Sequence, residues 1–184
     1  SGIQIAESLP KCAGVMKDLA IIRSMTSKEG SHPRATFLLH HGYLPMGGVK
    51  YPTLGAHVAQ QIGTPGFDIP SFVRIGGKGV DAGNGGFLGV DYDPFILLNP
   101  ESKPENTTPA TKADRTARRL EMLKAVEADF GAVEGADLVA DHQKLIGKSS
   151  TMIQSRRMAA FDLSQETDKM RDAYGRTKFG AGCL

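Results

Sequence analysis

The run Ser31-His32-Pro33-Arg34-Ala35-Thr36-Phe37-Leu38-Leu39-His40-His41-Gly42 gathers two hydroxyls, three imidazoles and a guanidinium in one short stretch. A small hydroxyl residue ahead of a proline-started helix can cap that helix, its oxygen accepting an amide hydrogen of the first turn. It can also act as a nucleophile. The free amides and the positive dipole end of the helix favour an anionic group or developing negative charge there, so the hydroxyl would face a bound phosphate or sulfate. Both readings of Ser31 stand. His32 is then a candidate oxyanion contact or general acid. Arg34, His40 and His41 are candidate substrate-binding residues. His40 and His41 are neighbours on a helix and point to different faces, so they cannot chelate one ion together. One of them is expected to pack or hydrogen-bond near the Gly42 turn. His57 and His142 read as surface or satisfied core residues.

Other chemistry-bearing patterns are weaker. Gly76-Gly77-Lys78-Gly79-Val80-Asp81 matches one copy of a calcium-binding nonapeptide, an architecture that needs tandem copies, and it is no Walker loop because no Gly-Lys-Ser/Thr follows. Asp91 and Asp93, ahead of Pro94, suit either a cation or a turn, and Asp-Pro favours the turn. The pairs Arg118-Arg119 and Arg156-Arg157 have acidic residues nearby and read as solvated helix faces. Cys12 and Cys183 lack metal-site spacing, which leaves one long-range disulfide or, preferably, two free thiols.

These residues need a scaffold, and the composition bounds it. The chain has 184 residues, enough for one ordinary domain, with 22 basic against 20 acidic side chains. That near balance implies no general polyanion-binding surface, and the absence of Trp gives no stacking platform, so nucleic acid is not an expected partner. No apolar window is long enough to span a bilayer. The 22 glycines and 10 prolines favour turn-rich loops over a helical bundle.

Three zones follow. In residues 9–75, LPKCAGVMKDL predicts a short helix with Leu9, Cys12, Ala13, Met16 and Leu19 on one face, and LAIIRSM (19–25) a buried parallel strand. HPRATFLLHHGY and TLGAHVAQQIG predict helices closed by Gly42 and Gly63, and PSFVRIGG a second strand. Residues 76–109 form a long Gly/Pro-rich loop, and 110–160 a helical insertion whose second long helix starts near Gly135. Ser164 is the expected N-cap of a further helix. The fold class is α/β, with parallel strands flanked by helices.

The chain is similar to a known family. With Gly42 on the last glycine of the sulfatase signature, Leu39, Pro33 and Ser31 fall on its leucine, proline and nucleophile positions, while Arg34 and Ala35 stand where Ser and Arg would be. LAIIRSMTSKEGSHPRATFLLHHGYLP, YPTLGAHVAQQIG, IPSFVRIGG, GFLGVDYDPF and AFDLSQETDKMRDAYGRTKFGAGCL resemble successive blocks of the bacterial uncharacterised sulfatase-like family of the alkaline phosphatase superfamily. The resemblance implies that residues 1–184 are part of one alkaline-phosphatase-like sandwich with a helical insertion. It implies a fragment of a hydrolase of sulfate or phosphate esters, inactive alone. A divalent metal (Ca, Zn or Mg) would be held by segments outside the chain. The substrate would be a sulfated or phosphorylated small molecule or polysaccharide, met in the periplasm or outside the cell. Two other classes remain: a non-catalytic polysaccharide-binding or structural protein of the same fold, and a helical interaction module built on 110–184.

Overall fold

The computed structural model describes residues 2–64, 66–76, 83–108, 111–133 and 135–184. The chain divides into two compact units, Ser1–Gly30 and Ser31–Leu184.

The first unit holds one short helix, α1 (Pro10–Gly14), which starts on a proline, and a 3-10 turn at Met16–Asp18. Of the five residues expected on one apolar face, only Met16 is buried. A helix this short barely repays its nucleation and cannot present a long stripe. The expected strand at 19–25 is absent. Ile22 and Met25 stand 72% and 69% exposed there. An apolar run becomes a buried parallel strand only where neighbours supply a ladder on its edges and cover on its faces, and no strand pairs with 19–25 among the described residues.

The second unit is dominated by helices. α2 (His32–His41) begins with Pro33 in its first turn, where a missing N–H costs nothing. It closes on Gly42 at φ 76°, whose N–H donates to the Leu38 carbonyl at 2.8 Å. α3 (Leu54–Ile62) is capped by Thr53, which accepts from the Ala56 amide. Ala56 is its buried residue, and with Pro52 and Thr53 just ahead of the helix it makes the small core of this region. At Gly55 a Cβ would stand 2.4 Å from the Phe72 ring, so a glycine is needed where α3 crosses the chain entering the first strand.

The strands β1 (Val73–Ile75) and β2 (Phe95–Leu97) pair in parallel, Val73 opposite Phe95 and Ile75 opposite Leu97. Between them, 3-10 turns at Gly86–Leu88 and Val90–Tyr92 fold back onto residues 50–53, with the Phe87 amide donating to the Lys50 carbonyl at 2.8 Å. Gly86, at φ 53°, lies so close to Lys50–Pro52 that a Cβ would meet backbone at 2.4 Å. The glycine-rich pattern at 76–81 lies almost wholly outside the described residues.

Two long helices follow, α4 (Ala113–Val133) and α5 (Ala136–Gln154), folded into an antiparallel hairpin. Glu127, buried, accepts from the His142 ring and, at 3.1 Å, from Gln143. Val139 packs over Gly131. α5 is tied to the 90–92 turn by Lys148, 2.9 Å from the Asp91 carboxylate. After α5 the chain makes a 3-10 segment, Arg156–Phe161, and here a polar clasp joins distant parts. Asp68 accepts from the Ser155 hydroxyl at 2.5 Å and from Arg157 at 2.6 Å, and the Arg157 guanidinium lies 4.9 Å from the Phe67 ring centre. The Ser155 hydroxyl, then Arg157, hold the Asp68 carboxyl below its ordinary range.

Two short helices end the chain, α6 (Asp168–Tyr174) and α7 (Lys178–Cys183), capped by Thr167 and Thr177. The expected cap Ser164 lies one turn earlier, where it donates to Asp162 instead.

The architecture corrects the expected one. Among the described residues the only sheet is a ribbon of two three-residue strands, so the molecule is not the sheet-centred sandwich of an alkaline-phosphatase-like domain. It is helix-dominated, because the chain commits its longest periodic segments to α4 and α5 and leaves the strands no third partner.

Candidate functional site

α2 carries all five candidate residues but does not bring them together. Ser31 occupies the N-cap in an extended conformation, φ −84° and ψ 120°, and its carbonyl accepts the first helical bond from Ala35 at 2.8 Å. Its hydroxyl makes no capping bond to the amides of the first turn. His32 and Arg34 sit in that turn, and all three residues are exposed. A sequence of this type forms the end it does because Pro33 presets the helical backbone while donating no hydrogen. The result is a helix end rich in N–H groups without intrahelical acceptors, flanked by a guanidinium, an imidazole and a hydroxyl.

His40 and His41 lie at the other end, about 13 Å along the axis at 1.5 Å per residue. They also diverge from each other. His40 is exposed. His41 is 7% exposed and stacks on Phe37, with ring centres 3.9 Å apart. Its Nδ1 lies 2.7 Å from the Tyr51 carbonyl. A carbonyl only accepts, so Nδ1 carries the hydrogen. Tyr51 in turn stacks on Tyr43 at 4.6 Å and meets the Phe87 ring edge-on, as does His57. His41 is therefore the polar pin of an aromatic cluster that ties α2 to residues 43–57 and to the 86–88 turn. It is not placed to meet a substrate bound at Ser31. Sequence reasoning missed Tyr51, which works through its backbone oxygen and so leaves no mark in the sequence.

The remaining candidates resolve into structure. Asp93 accepts the Gly85 amide at 2.6 Å and shapes a turn, and Asp91 is occupied by Lys148 and Lys144. Lys148, the nearer, is the main cause that keeps the Asp91 carboxyl below its ordinary range. Arg118 and Arg119 lie on an exposed helix face. Cys12 and Cys183 are free thiols. Among the described residues no three His, Cys, Asp or Glu side chains are grouped to hold a metal ion, and no chemical step is assigned to the divalent metal that the resemblance implies. None of the described helices is long and apolar enough to cross a membrane.

A helix-dominated unit with an exposed hydroxyl and cations at one helix N-terminus is thus what a comparison with known proteins has to explain. The chain belongs to the family described as "Protein of unknown function (DUF1501)", which it matches over residues 1–184. No curated protein and no solved structure matches it. The match corrects the resemblance drawn from the sequence: the family found carries no sulfatase or alkaline phosphatase description, and nothing found relates the chain to either. An early Pro, an apolar Leu and a terminal Gly are what many helices of this kind use, so the matches at Pro33, Leu39 and Gly42 do not single out that signature.

Proposed function

We propose that this chain supplies the ester-recognising segment of a hydrolase acting on sulfate or phosphate esters. The observation that supports it is the placement of Ser31, His32 and Arg34 together at one exposed helix N-terminus. The non-bridging oxygens of the ester lie against the first-turn amides and the Arg34 guanidinium, where charge-assisted hydrogen bonds and the helix dipole both favour an anion. Ser31 Oγ passes its proton to solvent water and attacks the phosphorus or sulfur, and the bond to the leaving oxygen breaks. His32 contacts the oxyanion or gives the leaving oxygen its proton, and water releases the group from Ser31. The test is turnover of an aryl phosphate and an aryl sulfate by the hydrolase that carries this segment, since the segment alone is expected to be inactive. Ser31→Ala is expected to abolish it, His32→Ala to lower kcat, and Arg34→Ala to raise KM. Undiminished turnover by Ser31→Ala would sink the reading.

A second reading is favoured by the openness of the same end. Catalysis gains from a site that excludes water, whereas Ser31, His32 and Arg34 are all exposed. A non-catalytic surface for a sulfated or phosphorylated polysaccharide uses the same amides and the same arginine and needs no nucleophile. Titration with a sulfated polysaccharide separates the two. Binding that is lost in Arg34→Ala and kept in Ser31→Ala, without turnover of either ester, selects the binder.

A further inference from the structure

The helical hairpin leaves one face of α4 uncovered, and the charges on that face specify what covers it. Glu127 and Gly131 mark the side of α4 turned toward α5, through His142, Gln143 and Val139. At 100° per residue, Met122, Val126 and Val133 lie on the opposite side. They are 70%, 67% and 84% exposed, and Phe130 on their flank is 56% exposed. A long apolar stripe on the outside of an otherwise charged helix is not explained by the hairpin's own packing.

The same face carries Arg115, Arg118 and Arg119 in its N-terminal half and Asp129 in its C-terminal half. None of these four makes an ion pair among the described residues, although Lys124 and Glu121, off the stripe, pair at 3.0 Å. A parallel copy of α4 would set Arg118 and Arg119 against their own counterparts. An antiparallel copy reverses the polarity and matches the two halves. Flanks then meet like flanks, as in antiparallel coiled coils. With Met122 opposite Val126, Arg118 falls beside Asp129 of the second copy, and Arg119 falls over its Phe130, where a guanidinium stacks on an aromatic face. Arg115 meets Val133 at the margin, its aliphatic stem covering the methyls. Because the pairing is two-fold symmetric, each of these contacts occurs twice.

We propose that two copies of this chain associate through the outer faces of α4, antiparallel, in the register that sets Met122 against Val126. The contact spans one helix of about 31 Å. It is therefore a concentration-dependent dimer rather than an obligate one. Sedimentation equilibrium over a range of concentrations tests it, with circular dichroism to verify that each variant keeps its helices. The wild type is expected to dimerise reversibly. Val126→Glu, which buries a charge in the seam, is expected to weaken dimerisation by more than about tenfold. Asp129→Arg and Arg118→Asp should each weaken it several-fold, and the two together should restore it, because the swapped charges still meet across the two-fold axis. A folded wild type that stays monomeric at every concentration overturns the proposal. So does a dimer indifferent to Val126→Glu, or a double variant no better than its parents. Capture of some other protein by a monomeric chain counts as the first of these outcomes.

Discussion

One position of helix separates His40 from His41, and it carries His41 inward onto Phe37 and the Tyr51 carbonyl while His40 faces solvent. His41→Ala removes a buried ring and leaves a carbonyl without its donor, which should cost about 2–4 kcal/mol of stability. His40→Ala should stay within about 0.5 kcal/mol. Urea unfolding of the two variants checks the contrast, and equal midpoints would refute the packing role of His41. Gly42, at φ 76°, closes the same helix, so Gly42→Ala should cost about 1 kcal/mol in the same assay. At this scale the sequence was readable where a residue acts on its own neighbours. That a histidine packs near the Gly42 turn followed from the helix end, and the turn role of Asp93 from its proline. The partner of His41 did not, because a backbone oxygen ten residues away can belong to any residue type.

Helices announced themselves by their ends: Pro33 and Gly42 for α2, Thr53 and Gly63 for α3, Gly135 for the start of α5. Strands did not. Residues 95–97 form one in a stretch whose glycines and prolines suggested only loop, whereas 19–25 forms none. The difference lies in the ladder. Residues 95–97 find β1 beside them, a non-local fact that composition does not hold. Within the hairpin, the His142 ring, then Gln143, keep the Glu127 carboxyl below its ordinary range. A carboxylate of lowered pKa adds stability that is present above its unfolded value and is lost as pH falls through its folded value. Protection of the α4 and α5 amides, taken as measured exchange relative to the intrinsic rate at each pH, should therefore be full above the ordinary carboxylate range and decline as pH falls from that range through the lowered value. Glu127→Ala should show fast exchange already at neutral pH. Slow exchange in that variant at neutral pH would mean that the hairpin stands on its apolar contacts alone.

Within the larger unit, burial of apolar side chains is sparse: Leu54, Ile62, Val133 and Phe179 are 69%, 79%, 84% and 83% exposed. Surface of this kind binds amphipathic dyes and associates, and it shrinks the area newly exposed on unfolding. A urea m-value well below that of ordinary domains of similar length, with strong dye fluorescence under native conditions, is the expected pair of observations. A steep transition without dye binding would contradict it. Composition promised enough apolar residues for a sizeable core, but the number of such residues does not state how many find cover.

The clasp of Asp68 with Ser155 and Arg157 has a kinetic meaning. It joins residues 87 and 89 positions apart, and the chain it closes includes β1, β2 and both long helices. Closing so long a loop costs entropy that nothing local repays, while the hairpin of α4 and α5 forms from neighbours in sequence and needs no such closure. The clasp is thus made after the rate-limiting step of folding and broken before that of unfolding. Asp68→Ala should leave the refolding rate nearly unchanged and hasten unfolding, moving only one arm of the chevron. In a molecule with so little core, these few polar bonds act as a brake on escape rather than as a guide to arrival.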